Sequence, residues 1–125
     1  MQFNITDSSF ENNEAVKNGG AIANGDIIKD NKGGKLVIDN TSFNNNSATD
    51  DLSNGGAIFN YGGTLELKNG SSFESNSANS GGAIANFDAD VSVDDTTFTS
   101  NTASLYGGAI YNISNTDLNI EKSAF

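Results

Sequence analysis

Gly19-Gly20-Ala21-Ile22-Ala23-Asn24, Gly55-Gly56-Ala57-Ile58-Phe59-Asn60, Gly81-Gly82-Ala83-Ile84-Ala85-Asn86 and Gly107-Gly108-Ala109-Ile110-Tyr111-Asn112 are four copies of one string. Each follows a second string, Phe-x-x-Asn-x-Ala, at Phe10/Asn13/Ala15, Phe43/Asn46/Ala48, Phe73/Asn76/Ala78 and Phe98/Asn101/Ala103. Before each phenylalanine stands an apolar-x-apolar pair: Phe3/Ile5, Leu36/Ile38, Leu65/Leu67, Val91/Val93 and, ahead of Phe125, Leu118/Ile120. Successive phenylalanines lie 33, 30, 25 and 27 residues apart. Periodicity of this length marks a solenoid, a propeller or an array, and is weighed before any local propensity.

Within each unit, three short stretches alternate apolar with polar residues, separated by Asn, Asp, Ser and Gly. Period-2 alternation predicts strands, and no window carries the i, i+3, i+4 pattern of an amphipathic helix. Three strands in about 25 residues, joined by turns too short for a helical crossover, match one rung of a parallel β-helix. The expected fold is all-β: a right-handed, single-stranded parallel β-helix of about four rungs, each of roughly 25–30 residues and three short strands. Repeats fall at residues 1–35, 36–64, 65–90 and 91–117, with a partial fifth at 118–125, in one domain spanning 1–125. At about 4.8 Å per rung such a stub is roughly 19–20 Å tall. Propeller blades need about 40 residues, and a meander has no use for identical columns.

The columns follow from the register. Phe3, Leu36, Leu65, Val91 and Leu118 form one inward stack, and Ile5, Ile38, Leu67, Val93 and Ile120 another. Phe10, Phe43, Phe73, Phe98 and Phe125 form an aromatic stack, and Ile22, Ile58, Ile84 and Ile110 an aliphatic one. Two asparagine columns, Asn13/Asn46/Asn76/Asn101 and Asn24/Asn60/Asn86/Asn112, are placed to form amide ladders. The Gly-Gly pairs suit sharp corners. Two connections carry extra residues, Gly25 to Lys35 and Thr49 to Asn54, and both fall at corners.

Composition narrows the function. The 125 residues include 35% apolar types and 14 glycines, with no proline and no cysteine. Disorder is the bland reading of so polar a chain, but its apolar residues recur at fixed phases. The formal charge is −10, with six lysines and neither arginine nor histidine. Nucleic acid is excluded as a partner, because binding it rests on phosphate neutralisation. No run of 18 apolar residues is present, so direct membrane insertion is not expected. No signal peptide is legible either.

The repeated GGAI and FxxN tetrapeptides, as at Gly19–Ile22 and Phe10–Asn13, resemble the signature of chlamydial polymorphic membrane proteins. They are similar also to adhesin-like surface proteins of bacteria and methanogenic archaea in the pectate-lyase-like β-helix superfamily. The resemblance covers all four repeats. It implies an extracellular or cell-surface β-helix used for adhesion, display or as a stalk. It also implies a role in adhesion for the tetrapeptides themselves: Phe10, Asn13, Phe43, Asn46, Phe73, Asn76, Phe98 and Asn101, with Gly19, Gly20, Ile22, Gly55, Gly56, Ile58, Gly81, Gly82, Ile84, Gly107, Gly108 and Ile110. The stacks above bury the phenylalanines and isoleucines instead, so the strings read here as scaffold for an adhesive surface. The expected partner is a surface protein or glycan of a host or neighbouring cell.

Three alternatives stand beside this reading. Head-to-tail strand pairing of the two ends would make the chain a self-assembling filament subunit. A carbohydrate-active remnant would need a Lys or Arg base beside a carboxylate cluster, or paired carboxylates on one strand face. The sequence offers no such lysine column and no such pair, so no catalytic residue, cofactor or metal is assigned. Asp88, Asp90, Asp94 and Asp95 crowd one rung, where Asp88/Asp90 would be the candidate for weak Ca²⁺ binding, but neither an EF-hand loop nor a GGxGxD repeat is present. The preferred ligand candidates are aromatic. If Ile58 and Ile110 point inward, Phe59 and Tyr111 point outward, with Tyr61, Phe87 and Tyr106 near the corners, as a strip that stacks on sugars or proteins. Sequons at Asn4, Asn40, Asn45, Asn69 and Asn112 are about as many as chance gives.

Overall fold

The alternating stretches are realised as strands, and the chain winds through the same four sheets pass after pass. A computed structural model describes residues 2–113 and 117–125; the end of the fourth repeat, and with it Ser114 of the Asn112 sequon, lies outside the described residues. The first pass comprises β1 (Gln2–Thr6), β2 (Ser9–Glu11), β3 (Glu14–Ala15) and β4 (Ile22–Asp26), followed by the excursion strand β5 (Asn31–Lys32). The second comprises β6 (Lys35–Asp39), β7 (Ser42–Asn44), β8 (Ser47–Ala48) and β9 (Ile58–Tyr61). The third comprises β10 (Thr64–Lys68), β11 (Ser71–Glu74), β12 (Ser77–Ser80) and β13 (Ile84–Phe87). The fourth comprises β14 (Asp90–Asp94), β15 (Thr96–Thr99), β16 (Thr102–Tyr106) and β17 (Ile110–Ile113), after which β18 (Leu118–Glu121) returns to the first sheet.

Sheet A is β1-β6-β10-β14-β18, sheet B β2-β7-β11-β15, sheet C β3-β8-β12-β16 and sheet D β4-β9-β13-β17. All pairings between passes are parallel, which makes the molecule a parallel β-solenoid. Each pass has four strands, where the sequence led us to expect three. The Phe-x-x-Asn-x-Ala string is bent in its middle, because Asn12, Asn45, Ser75 and Ser100 adopt φ of 57°, 58°, 57° and 55°. That left-handed residue sends the phenylalanine into sheet B and the alanine into sheet C. A second left-handed corner (Asp7, Asn40, Asn69, Asp95) turns sheet A into sheet B. Asn and Asp tolerate this region better than other side chains, which explains the polar turns.

The inward columns are those the register predicts. Phe3, Leu36, Leu65, Val91 and Leu118 are successive Cα partners, as are Ile5, Ile38, Leu67, Val93 and Ile120. The rings of Phe10, Phe43, Phe73, Phe98 and Phe125 run in single file with centroids 4.9, 4.6, 5.0 and 4.6 Å apart and planes within 6° of parallel. Those separations follow the strand repeat of about 4.8 Å. They exceed the thickness of a ring, so neighbouring rings are offset rather than eclipsed, the favoured arrangement for aromatic quadrupoles.

Both asparagine columns form ladders. Nδ2 of Asn13, Asn46 and Asn76 donates to Oδ1 of the next asparagine at 2.9, 3.0 and 2.9 Å. Asn76 uses every group it has: Nδ2 also donates to the Phe43 carbonyl at 3.0 Å, and Oδ1 accepts from the Asn46 backbone N–H at 2.9 Å as well as from its amide. The second ladder, Asn24 to Asn60 to Asn86 to Asn112, has steps of 2.7, 2.8 and 2.7 Å. Buried amides need such partners, since an unpaired one costs about 1–3 kcal/mol.

The two glycines of each GGAI string answer to different constraints. The first (Gly19, Gly55, Gly81, Gly107) has φ of 64° to 73° and makes the corner between sheets C and D. The second has an ordinary φ, yet a Cβ on Gly20, Gly56 or Gly82 would run into the carbonyl oxygen of Gly56, Gly82 or Gly108 in the following pass. On Gly108 the same Cβ would meet only the Asn101 carbonyl, at 3.6 Å. Alanine at Gly82 is therefore expected to cost about 3 kcal/mol or more in urea denaturation, against less than about 0.5 kcal/mol for Gly108→Ala. Equal losses would show that the second glycine serves its own turn and not the stacking. Phe73→Ala, in the middle of the ring file, is expected to cost about 3–5 kcal/mol, while Glu74→Ala on the outer face should be near neutral.

Candidate ligand-binding face

The tetrapeptides themselves are withdrawn from contact. Phe43, Phe73, Asn46, Asn76, Ile58 and Ile84 are completely buried, and Phe98 nearly so. Phe10, Asn13, Asn101, Ile22 and Ile110, in the first and last passes, are half-buried. The outward positions, many of which differ from pass to pass, are the ones left for contact.

The aromatic residues picked out from the sequence divide three ways. Phe59 is 1% exposed, so it is not the ligand-facing ring that strict alternation implies. It does lie outside the inner core cluster. Its register neighbours, however, are the small Ala23 and Ala85, and its ring packs against Phe87 at 5.5 Å. With small neighbours in its column and Phe87 packed against it, the ring is out of water. Phe87, Tyr111 and Tyr106 continue the cluster: Phe87 meets Tyr111 edge-on at 5.8 Å, and Tyr111 stacks on Tyr106 at 5.5 Å with planes 17° apart. Phe87 and Tyr111 are half-buried, while Tyr106 is 54% exposed. Tyr61 is occupied elsewhere. Its hydroxyl donates to Asp30 Oδ1, and its carbonyl accepts the Gly33 N–H at 2.7 Å, pinning the hairpin in which β4 pairs antiparallel with β5.

Two exposed apolar residues escaped the sequence pattern: Ile113, 37% exposed and the register partner of Phe87, and Leu105, 59% exposed and next to Tyr106 in the chain. The register between β12 and β16 shifts after Ala78/Ala103, so that Ser80 pairs with Tyr106. Such a bulge re-aims the side chains around it. Its signal was present in the spacing, since Asn101 precedes Gly107 by one residue more than Asn76 precedes Gly81.

Polar chemistry lies on the other outer faces. Asp94 and Glu121 are register partners on sheet A, contrary to the expectation that no two carboxylates share a strand face; the pairing of β14 with β18 brings them together. Asp94 Oδ1 is buried without a hydrogen-bond partner among the described residues. Lys35 and Lys68 flank Glu66 on the same sheet, each at 3.5 Å. Asp88 faces Lys32 at 3.9 Å, and Asp90 Oδ1 accepts the Asp117 N–H at 3.1 Å, so both Ca²⁺ candidates already have protein partners. Among the described residues no three His, Cys, Asp or Glu side chains gather as a cation site. A depression of about 540 Å³ opens on the first pass, lined by Phe3, Ile5, Phe10, Ile22 and Leu36, and a shallower polar groove of about 470 Å³ runs over sheet C past Ser47, Ser77 and Thr102.

The family model of the Chlamydia polymorphic membrane protein (Chlamydia_PMP) repeat matches residues 7–25, 40–61 and 95–113. These stretches contain Phe10 to Ile22, Phe43 to Ile58 and Phe98 to Ile110, so the likeness that the tetrapeptides imply is borne out at three places. The remaining copy, Phe73 to Ile84, stands in the same columns by register. Comparison with curated proteins and with solved structures found no significant match.

The Tyr61 contact is directly testable. The hydrogen bond to Asp30 raises the Tyr61 pKa above the ordinary 10.0, with desolvation and the charges of Asp30 and Asp88 acting in the same direction. A phenol whose pKa is raised by folding adds stability below its unfolded pKa and loses it as pH climbs through the raised value. In an alkaline titration followed by tyrosinate absorbance, Asp30→Asn is expected to bring one of the three tyrosines down towards the ordinary value. An unchanged titration would show that the contact does not hold in solution.

Proposed function

We propose that this chain is a non-enzymatic, cell-surface β-helix module of an adhesin-like protein, in which the repeats carry a recognition face without forming it. One observation supports this reading above the others: the shared strings are used up in joining pass to pass, with Phe43, Phe73, Asn46, Asn76, Ile58 and Ile84 fully buried. Several outward columns, in contrast, change from pass to pass, although Ser9, Ser42 and Ser72 repeat in sheet B. Sheet A shows Gln2, Lys35, Thr64 and Asp90 in one column and Asn4, Val37, Glu66 and Ser92 in the next, and sheet D shows Ala23, Phe59, Ala85 and Tyr111. A scaffold that tolerates any outward residue is suited to displaying a varied surface, which is the use expected of a polymorphic membrane protein repeat. The ligand candidates are Phe87, Tyr106 and Tyr111, and the partner is a protein or glycan of another cell's surface.

Fluorescent beads coated with the chain are expected to be retained on a monolayer of cultured cells several-fold above albumin-coated beads. Retention at the albumin level across cell types would overturn the adhesive reading.

A further inference from the structure

The aromatic face has a structure of its own. Tyr106 lies nearly parallel on Tyr111, Phe87 buttresses Tyr111 edge-on, and the buried Phe59 supports Phe87 from below. The exposed rings are therefore held in place before any ligand arrives, which lowers the ordering cost of binding. Leu105 and Ile113 extend the apolar margin. Of these rings Tyr106 is the most open to solvent, at 54% exposed.

The charge of the chain that carries this face is one-sided. Between Lys68 and Lys122 the chain holds seven carboxylates (Glu74, Asp88, Asp90, Asp94, Asp95, Asp117, Glu121) and no cation. All of the third pass after β10, and all of the fourth, falls in this stretch. Lys32 reaches in from the hairpin of the first pass and pairs with Asp88 at 3.9 Å. With −10 overall, and with Asp88 next to Phe87 in the chain, the molecule repels acidic glycans and nucleic acid and draws in cations.

We propose that this face takes a cationic protein segment, with an arginine or lysine of the partner stacked on the Tyr106/Tyr111 pair and its aliphatic stem against Leu105 and Ile113. The proposal rests on the recognition-face reading above and names the class of partner. A cation over an aromatic face is attracted by the ring quadrupole, and arginine gains most because its planar guanidinium stacks. A neutral sugar would use the rings and gain nothing from the carboxylates.

The test is binding of a fluorescein-labelled nona-arginine peptide, read by anisotropy in about 150 mM salt to suppress diffuse attraction, with N-acetylglucosamine hexamer as the neutral competitor. Tyr106→Ala/Tyr111→Ala is expected to weaken binding about tenfold, and Tyr106→Ser alone, at an exposed site that leaves Tyr111 in place, about threefold. Glu11→Gln/Glu74→Gln, which removes two carboxylates from the outer face of sheet B, should stay within about twofold. An aromatic variant that binds like the parent, a sheet B variant that loses as much as the aromatic one, or displacement of the peptide by the hexamer would each overturn the proposal. Peptide binding without bead adhesion would remove the surface role and leave the cation-binding face standing. Bead adhesion unaffected by Tyr106→Ser and by excess peptide would do the reverse.

Discussion

Parallel strands hydrogen-bond at about 4.8 Å, and in this chain every residue at a given point of a pass must lie that far from its counterpart in the next. Large flat side chains meet the condition by stacking, as the five phenylalanines do. Asparagine meets it because its amide carries both a donor and an acceptor, so one residue type can repeat indefinitely along the axis. Gly20, Gly56 and Gly82 meet it by having no side chain where a neighbouring carbonyl approaches. The three residue types are thus three solutions to one spacing, which is why they recur together and in a fixed order.

Stacking also sets how stability is distributed. Each pass touches only the passes next to it, so interior passes are covered on both sides and terminal ones on a single side. Phe43 and Phe73 are fully buried, while Phe3 and Phe125 at the two extremes are each 62% exposed. Opening should begin at the ends and reach the second and third passes last. The long connections are tied to this interior. Ser53 donates to the Ala48 carbonyl at 2.9 Å and accepts the Asn79 N–H at 3.0 Å, which anchors the Thr49–Asn54 insertion to the next pass. The Gly25–Lys35 insertion is held by Asp30 and Gly33 to Tyr61.

With the inner half of each strand committed to stacking, the outer half is free to vary, and charge accumulates there without cost to the core. Acidic residues sit at corners and on outer faces, where water screens their repulsion. A binding surface can then be assembled from residues far apart in sequence, provided that they occupy neighbouring columns. Phe59, Phe87, Tyr106 and Tyr111 come from three passes and touch only because the passes coincide.

The solenoid, its columns, both ladders and the burial of the GGAI and FxxN strings were all legible in the amino-acid sequence. Stacked passes place like beside like, so repetition along the chain reports contact directly. The fourth strand of each pass was hidden, since a single residue with positive φ, Asn12 or Ser75, breaks a stretch that reads as continuous. The fate of Phe59 was hidden as well: alternation says which side of a sheet a residue takes, but whether that side meets water depends on the bulk of its neighbours, here Ala23, Ala85 and Phe87. The Asp94/Glu121 pairing follows the predicted Val93/Ile120 column one residue along, but the sequence alone left it unread. The extra residue between Asn101 and Gly107 announced a bulge in β16, and only the folded register decided that Leu105 and Tyr106 both meet water there, because a bulge re-aims the side chains around it.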